Sequence, residues 1–296
     1  MSTRTVRFKQ VDVFTSVPFR GNPLAVIFDA DDLSTERMQA IARWTNLSET
    51  AFVLRPGDAR ADYRVRIFTT ATELPFAGHP TLGTAHALLE SGLAPKTPGR
   101  LVQECGVGLV MLEARAEGQW AFAAPPASIV PLDEARRARL ADALAPIEID
   151  FDAPPCAVNN GAPWLIVRLR DAAQCLALSL RPQAREALVA LAAQTRTHGL
   201  VVYGPHEHGA PATFELRTLL LGAENFEDPV TGSANAALAT LLNRQGKRPG
   251  DAYSVRQGTA LDRDGRVSIA YDDAAEGSPV WIGGQSVTVI DGTFRF

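Results

Sequence analysis

The stretch DPVTGSANAALATLL, residues 228–242, decides the fold. It begins as a polar turn and continues into small and apolar residues, a pattern that predicts a helix apolar on every side. Such a helix has to be buried. Asp228, Thr231 and Ser233 lie at its start, where their side chains suit N-capping beside the positive end of the helix dipole. The stretch therefore predicts a core helix whose N-terminus forms an anion site.

A similar stretch, GHPTLGTAHALL, occurs about half a chain earlier at residues 78–89. Aligning residues 83–85 with residues 232–234 gives both segments a polar start, a glycine and an Ala/Leu run. We expect both runs, 84–89 and 234–242, to be core helices. Two such helices suggest a duplicated architecture of two similar domains, with a site between the halves.

Composition and charge exclude several classes of function. The chain has 296 residues, of which 46% are hydrophobic, and its net charge of −4 comes from interspersed residues, so no nucleic-acid partner is expected. Cys105, Cys156 and Cys175 are far apart, which suggests neither a disulfide framework nor a zinc site. No apolar run approaches the ~20 residues of a membrane span. We expect a soluble, cytoplasmic protein without a membrane partner.

Strand and helix patterns are mixed along the chain. A helix follows Ser34, and it ends in the segment NLSET, residues 46–50, before an apolar strand. The prolines that follow Ala124 suggest the crossing between the halves. The tail reads as strands, and the pairs Asp264-Gly265 and Asp291-Gly292 are typical of hairpin turns. Without an alternation of parallel strands and helices, the class is predicted to be α+β with mostly antiparallel sheets.

Four residues at the polar junctions supply the chemistry: Glu49, His79, Asp228 and Ser233. Each also has a plain structural interpretation, as a surface carboxylate, a packed histidine, a helix-terminal charge or a satisfied hydroxyl. Together, however, a carboxylate, a histidine and two helix N-termini provide what proton transfer at carbon requires. A base removes the proton, and fixed donors hold the charge that develops.

Other chemistries fit the residues less well. His206 and His208, with His198 nearby, suggest a metal site, but a His-x-His pair in a polar loop is more often solvated. Ser233 could be combined with His79 and Asp228 as a hydrolase triad, but the serine lacks a G-x-S-x-G elbow. The sequence contains neither a phosphate-binding loop nor a dinucleotide fingerprint. No metal and no cofactor are therefore predicted.

Four segments together resemble the phenazine-biosynthesis PhzF family: residues 46–50, residues 73–83, residues 227–234 and the pair Gln257-Gly258. The resemblance implies the diaminopimelate-epimerase fold, in which two similar domains each wrap a barrel-like sheet around a central helix, with the active site in the interdomain cleft. It implies an N-terminal domain of residues 1–124, rejoined by a last strand at about 286–296, and a C-terminal domain of residues 125–285.

The resemblance also implies roles for the site residues. The family's isomerase acts on trans-2,3-dihydro-3-hydroxyanthranilate with the glutamate of its N-L-S-E motif as proton-shuttling base, and Glu49 occupies that position in this chain. The matching His79, Asp228 and Ser233 are expected to bind and orient the substrate. Gly78, Thr231 and Gly232 lie in the same motifs and are further substrate-binding candidates. The predicted assembly is a homodimer.

Two departures mark the chain. Two-base epimerases of the same fold use a cysteine at each central helix N-terminus, and neither helix start of this chain contains one. The approach LLLGAENF, residues 219–226, differs from the M-F-S-P type segment of the phenazine enzymes, so the substrate stays open. The prediction is a cofactor-free isomerase acting on a small carboxylate-bearing metabolite. The alternatives are a catalytically silent binding or interaction module and, more distantly, an amino-acid epimerase or a serine hydrolase.

Overall fold

A computed structural model describes residues 4–222, 227–272 and 279–295. The chain forms two compact units. Unit 1 contains residues 1–123 and 283–296, and unit 2 contains residues 124–282. Both combine helices with mostly antiparallel strands, which confirms the predicted α+β class. In the described ranges no helix is both long enough and apolar enough to span a membrane.

Short strands and helices are interspersed along the whole chain. The first half contains β1 (Thr5–Val13), β2 (Asn22–Ile27), α1 (Thr35–Thr45), β3 (Glu49–Leu54), β4 (Tyr63–Phe68), β5 (Glu73–Leu74), α2 (Gly78–Glu90), β6 (Arg100–Cys105), β7 (Gly108–Ala114), β8 (Trp120–Ala123), β9 (Ser128–Pro131) and α3 (Glu134–Leu144). The second half contains β10 (Cys156–Asn159), β11 (Pro163–Arg168), α4 (Ala172–Ala177), α5 (Pro182–Thr195), β12 (Gly199–Pro205), β13 (Phe214–Leu220), β14 (Glu227–Asp228), α6 (Gly232–Arg244), β15 (Ala252–Gln257), β16 (Gly265–Tyr271), β17 (Val280–Gly284) and β18 (Ser286–Arg295).

Unit 1 is a curved set of strands packed on α2. Strand β1 pairs antiparallel with β2 and with the last strand, β18; β2 runs parallel to β3, and β4 runs parallel to β6. Ten residues of α2 are buried. Gly83 allows this close packing, because a Cβ there would lie 2.6 Å from a Leu24 methyl and 2.7 Å from a Val13 methyl.

Unit 2 has the same local order of pairings around α6. Strand β11 runs parallel to β12, and β13 runs parallel to β15, while β12 and β13 are antiparallel. Nine residues of α6 are buried. A further apolar cluster joins these strands to the helices on the other side and includes Leu140, Cys175 and Leu188. Burial of α2 and α6 confirms that both Ala/Leu runs are core helices.

The structure corrects the predicted alignment of the two helices. In each unit a two-residue strand, β5 or β14, pairs with the long strand before it, and a 13-residue helix follows. Helix α2 begins at Gly78 and helix α6 at Gly232, so Gly78 corresponds to Gly232 and His79 corresponds to Ser233. The prediction that Gly83 matches Gly232 is wrong, because Gly83 serves helix packing inside α2 rather than the helix start.

Candidate active site

Unit 1 brings Glu49 and His79 together. Helix α1 ends with Asn46 in the left-handed conformation, with φ at 54°, and three residues later Glu49 opens β3. His79 is the second residue of α2. The Glu49 Oε2 atom lies 3.4 Å from His79 Nε2, and the two side chains are only 16% and 5% exposed. A carboxylate and an imidazole therefore lie side by side at the start of α2, where little water reaches them.

His79 is a neutral imidazole in this position. Burial disfavours the imidazolium and lowers the pKa of His79 to about 3. Its Nδ1 atom lies 3.4 Å from the amide nitrogen of Asn22. In this orientation of the Asn22 amide, Nδ1 accepts, which assigns the single ring proton to Nε2, the atom that faces Glu49.

Asn22 is a contributor that sequence reasoning missed. It is fully buried at the first position of β2. The preceding Gly21 donates its N–H to Asp12 at 3.1 Å, and a Cβ on it would lie 2.1 Å from the Val13 carbonyl oxygen. The signal that could have identified it is the pair Gly21-Asn22, a glycine followed by a polar residue at the start of an apolar strand pattern.

Unit 2 brings Asp228 and Thr231 together. Asp228 ends β14, and Thr231 occupies the N-cap position of α6. The predicted capping by Thr231 is wrong, because its hydroxyl donates to Asp228 Oδ2 at 2.5 Å instead of accepting from the helix. Thr231 therefore serves Asp228 rather than the helix terminus.

Ser233, the second residue of α6, is held by two side chains from outside its helix. The Trp164 indole N–H donates to Ser233 Oγ at 3.2 Å, and the Asn160 amide donates to the Ser233 carbonyl at 2.9 Å. Because an indole only donates, Ser233 Oγ accepts there and keeps its own proton for another acceptor. Sequence reasoning singled out neither Trp164 nor Asn160 for the site.

Strand register shows what unit 2 has where unit 1 has Glu49. In unit 1, Leu24 of β2 is paired in register with Glu49 of β3. In unit 2, Trp164 of β11 is paired with Gly199 of β12. The indole covers this glycine so closely that a Cβ on Gly199 would lie 2.5 Å from the ring. The position that corresponds to Glu49 is thus a glycine under an indole.

The histidines of the alternative metal interpretation are held apart. His206 pairs with the fully buried Glu215 at 3.1 Å, and His198 packs edge-on against Trp164 with ring centroids 4.2 Å apart. In the parts of the chain that the structure describes, no group of three or more His, Cys, Asp or Glu residues is arranged to hold a metal. Residues 223–226, within the predicted substrate approach, lie outside the described residues.

Comparison with known proteins shows which family the chain belongs to. The family model described as "Phenazine biosynthesis-like protein" matches residues 11–292. The chain belongs to the PhzF family. It is 35% identical over 289 residues to trans-2,3-dihydro-3-hydroxyanthranilate isomerase of Pseudomonas aeruginosa, with 97% of this chain and 98% of that protein covered. The match confirms the predicted PhzF resemblance and identifies the protein as a PhzF-type isomerase.

Two further relatives show the breadth of the PhzF family. Antisense-enhancing sequence 1 of Schizosaccharomyces pombe is 38% identical over 294 residues, which cover 96% of this chain and 97% of that protein. The solved structure of the Bacillus anthracis phenazine biosynthesis protein of the PhzF family superimposes with a TM-score of 0.84 at 25% identity, covering 100% of this chain and 99% of that chain. The superposition shows that the chain has the α+β fold of the PhzF family, as the resemblance predicted.

Proposed function

We propose that this PhzF-family protein is a cofactor-independent isomerase that moves a proton on a small carboxylate-bearing metabolite. The proposed activity is similar to that of trans-2,3-dihydro-3-hydroxyanthranilate isomerase, the name of the Pseudomonas relatives. The observation that carries the proposal is the contact between Glu49 and the neutral His79, 3.4 Å apart and nearly buried. Such a carboxylate is sheltered from water and lies beside a fixed N–H donor.

Glu49 takes the proton from carbon and later returns it. In the first step a C–H bond breaks, the electron pair stays on the substrate, and the proton binds to the carboxylate. The proton does not pass on to His79, since burial disfavours the imidazolium that would result. Glu49 therefore delivers a proton to the second carbon, and because its side chain is 16% exposed, the proton exchanges with water before it is delivered, while His79 stays a donor.

The charge that develops on the substrate needs donors, and the two core helices supply them. The first N–H groups of an α-helix have no partner within the helix, and the dipole adds positive potential there. Gly78 begins α2, and Gly232 with Ser233 begins α6. The Ser233 hydroxyl, which accepts from Trp164, has its proton left to donate. A well-placed donor of this kind contributes roughly 3 kcal/mol to stabilising the transition state.

Asp228 receives a different part of the substrate. Its Oδ2 already accepts from the Thr231 hydroxyl, and a hydrogen bond donated to a carboxylate favours its ionised form. Two anions side by side repel each other, so Asp228 pairs with the substrate amine rather than with the substrate carboxylate. His79 is not its partner, because the one N–H of that imidazole faces Glu49.

A single base is the expectation from the duplicated architecture. Gly199 and the indole of Trp164 fill the position in unit 2 that corresponds to Glu49 in unit 1. A proton removed by Glu49 is therefore returned by Glu49. We propose that Glu49, His79, Asp228 and Ser233 border one cleft. That convergence, the cytoplasmic location and the homodimer stay predictions.

A substrate panel in heavy water tests the proposal. The purified protein is incubated with trans-2,3-dihydro-3-hydroxyanthranilate, other cyclic hydroxy acids and amino acids, and deuterium at carbon is followed by mass spectrometry. The proposal expects isomerisation with deuterium incorporation for a carboxylate-bearing member. Binding of a ligand without any exchange would contradict it and support the silent module, and hydrolysis of an ester substrate would support the serine hydrolase.

A further inference from the structure

Gln257 contacts both ends of the turn that joins β14 to α6 in unit 2, at Asp228 and at Thr231. It is fully buried at the last position of β15. The next residue, Gly258, has a φ of 95°, and a Cβ on it would lie 2.8 Å from the Pro229 carbonyl oxygen. The strand end is thus pressed against the turn between Asp228 and Thr231. The sequence pair Gln257-Gly258 belongs to the family resemblance, but no role is attached to Gln257 by it.

The chemistry of its partners fixes which way the Gln257 amide points. The Oε1 atom accepts from the backbone N–H of Thr231 at 3.0 Å and from the Asn235 amide at 3.1 Å. The Nε2 atom donates to the Asp228 carbonyl at 3.1 Å. A backbone N–H only donates and a carbonyl only accepts, so a flipped amide would face a donor with a donor and an acceptor with an acceptor.

The amide orientation in turn fixes the Thr231 hydroxyl. Gln257 Nε2 lies 3.0 Å from Thr231 Oγ1 and 3.2 Å from Thr218 Oγ1; because an amide nitrogen only donates, the nearer Thr231 oxygen accepts from it. Its single proton is then directed to Asp228 Oδ2, 2.5 Å away. Without Gln257 the hydroxyl has a competing arrangement, because a threonine at an N-cap normally accepts from the N–H groups of its own helix.

We propose that Gln257 is a positioning residue for the reaction: it acts through the Thr231 hydroxyl and holds Asp228 as a fixed acceptor for the substrate. This proposal rests on the proposed function, in which Asp228 pairs with the substrate amine. Removing Gln257 lets Thr231 turn into an ordinary helix cap, so that its hydroxyl no longer donates to Asp228 Oδ2. The fold keeps a capped helix, while the carboxylate loses its fixed direction.

Gln103 offers a matched control. It is also a fully buried glutamine, located on β6 of unit 1. Its amide donates to Thr81 Oγ1 at 2.9 Å and accepts from the Tyr63 hydroxyl at 3.1 Å. Thr81 in turn donates to the Ala77 carbonyl rather than to a candidate site residue. The same substitution at Gln103 therefore removes a buried amide without touching Asp228.

The first experiment measures steady-state rates on the panel substrate that the wild type converts. Gln257→Met is expected to lower kcat/KM at least about tenfold, the low end for a hydrogen bond to a charged group, whereas Gln103→Met leaves it within about twofold. If Gln257 acts through the Thr231 hydroxyl, the effect of Gln257→Met on kcat/KM requires that hydroxyl. Adding Gln257→Met to Thr231→Val is expected to cost less than about twofold further, while adding it to Thr231→Ser costs the full factor, because only serine keeps the hydroxyl.

The proposal would be overturned if Gln257→Met lowered kcat/KM by its full factor in the Thr231→Val background, or if Gln257→Met alone left the rate unchanged.

A second experiment needs no substrate, so it separates this proposal from the proposed function. The Thr231 hydroxyl proton is followed by NMR, and we expect slow exchange with water in the wild type and in Gln103→Met, and fast exchange in Gln257→Met. Equal protection in Gln257→Met would refute the role of Gln257, whichever substrates the protein converts.

Discussion

Replacing Trp164 with phenylalanine tests how Ser233 is made a donor. The substitution keeps an aromatic ring over Gly199 and beside His198 but removes the indole N–H, which lies 3.2 Å from Ser233 Oγ. A neutral hydrogen bond contributes about 0.5–1.5 kcal/mol. At about 1.36 kcal/mol for each factor of ten, this corresponds to a roughly 2- to 12-fold lower kcat/KM. We expect most of the change in kcat, since the Ser233 hydroxyl is proposed to donate to the charge that develops in the transition state.

The assay for this prediction is a double-mutant cycle with Ser233→Ala, measured as kcat/KM on the substrate found in the heavy-water panel. In the Ser233→Ala background, Trp164→Phe should change the rate by less than about twofold, because the acceptor of its N–H is gone. Trp281→Phe removes the same indole N–H at another buried position and serves as the control for lost ring volume. An equal loss in both backgrounds would refute the hydrogen-bond reasoning and make Trp164 a packing residue.

Three further predictions follow from burial, charge and composition. Leu238→Asp should abolish soluble folding, because Leu238 is fully buried in α6 and an unpaired buried charge costs at least several kcal/mol; a soluble variant with unchanged melting would contradict the core assignment. Because the pKa of His79 falls from 6.5 to about 3 on folding, the unfolded state binds the extra proton first, so stability should decrease as the pH falls from 6.5 towards 3, and urea titrations of His79→Gln should show a flatter dependence. Activity should survive excess chelator and thiol alkylation, since burial raises the pKa of all three cysteine thiols; loss of activity with chelator and recovery with zinc would point to His206 and His208 instead.

The sequence was sufficient to predict an element where its local pattern is compatible with only one structure. An Ala/Leu run that is apolar all round has to be buried, and both predicted runs are core helices. The junction at residues 46–50 was also readable, because a polar segment between a helix pattern and an apolar strand ends the helix. Asn46 ends α1 in the left-handed conformation and Glu49 opens β3, as the pattern indicates.

Tertiary contacts decided the features that the sequence did not predict correctly. Asp291-Gly292 has the composition of a hairpin turn, but both residues lie inside β18, where they pair with β1 and Lys9 donates to Asp291 at 2.9 Å. Thr231 has the composition of a helix cap, but Asp228 and Gln257 take its hydroxyl. Partners that are distant in sequence compete with local preferences, and a single sequence does not show them.

The most direct test of the central claim, that Glu49 is the single carbon base, is deuterium incorporation by Glu49→Gln. The substrate that the wild type labels in heavy water is incubated with Glu49→Gln, and with Glu73→Gln as a control that alters an exposed glutamate paired with Arg66. The account predicts that Glu49→Gln still binds the substrate but incorporates deuterium at least ~100-fold more slowly, the low end of general-base contributions, while Glu73→Gln keeps the wild-type rate. Labelling by Glu49→Gln at nearly the wild-type rate would contradict the account and place the base elsewhere.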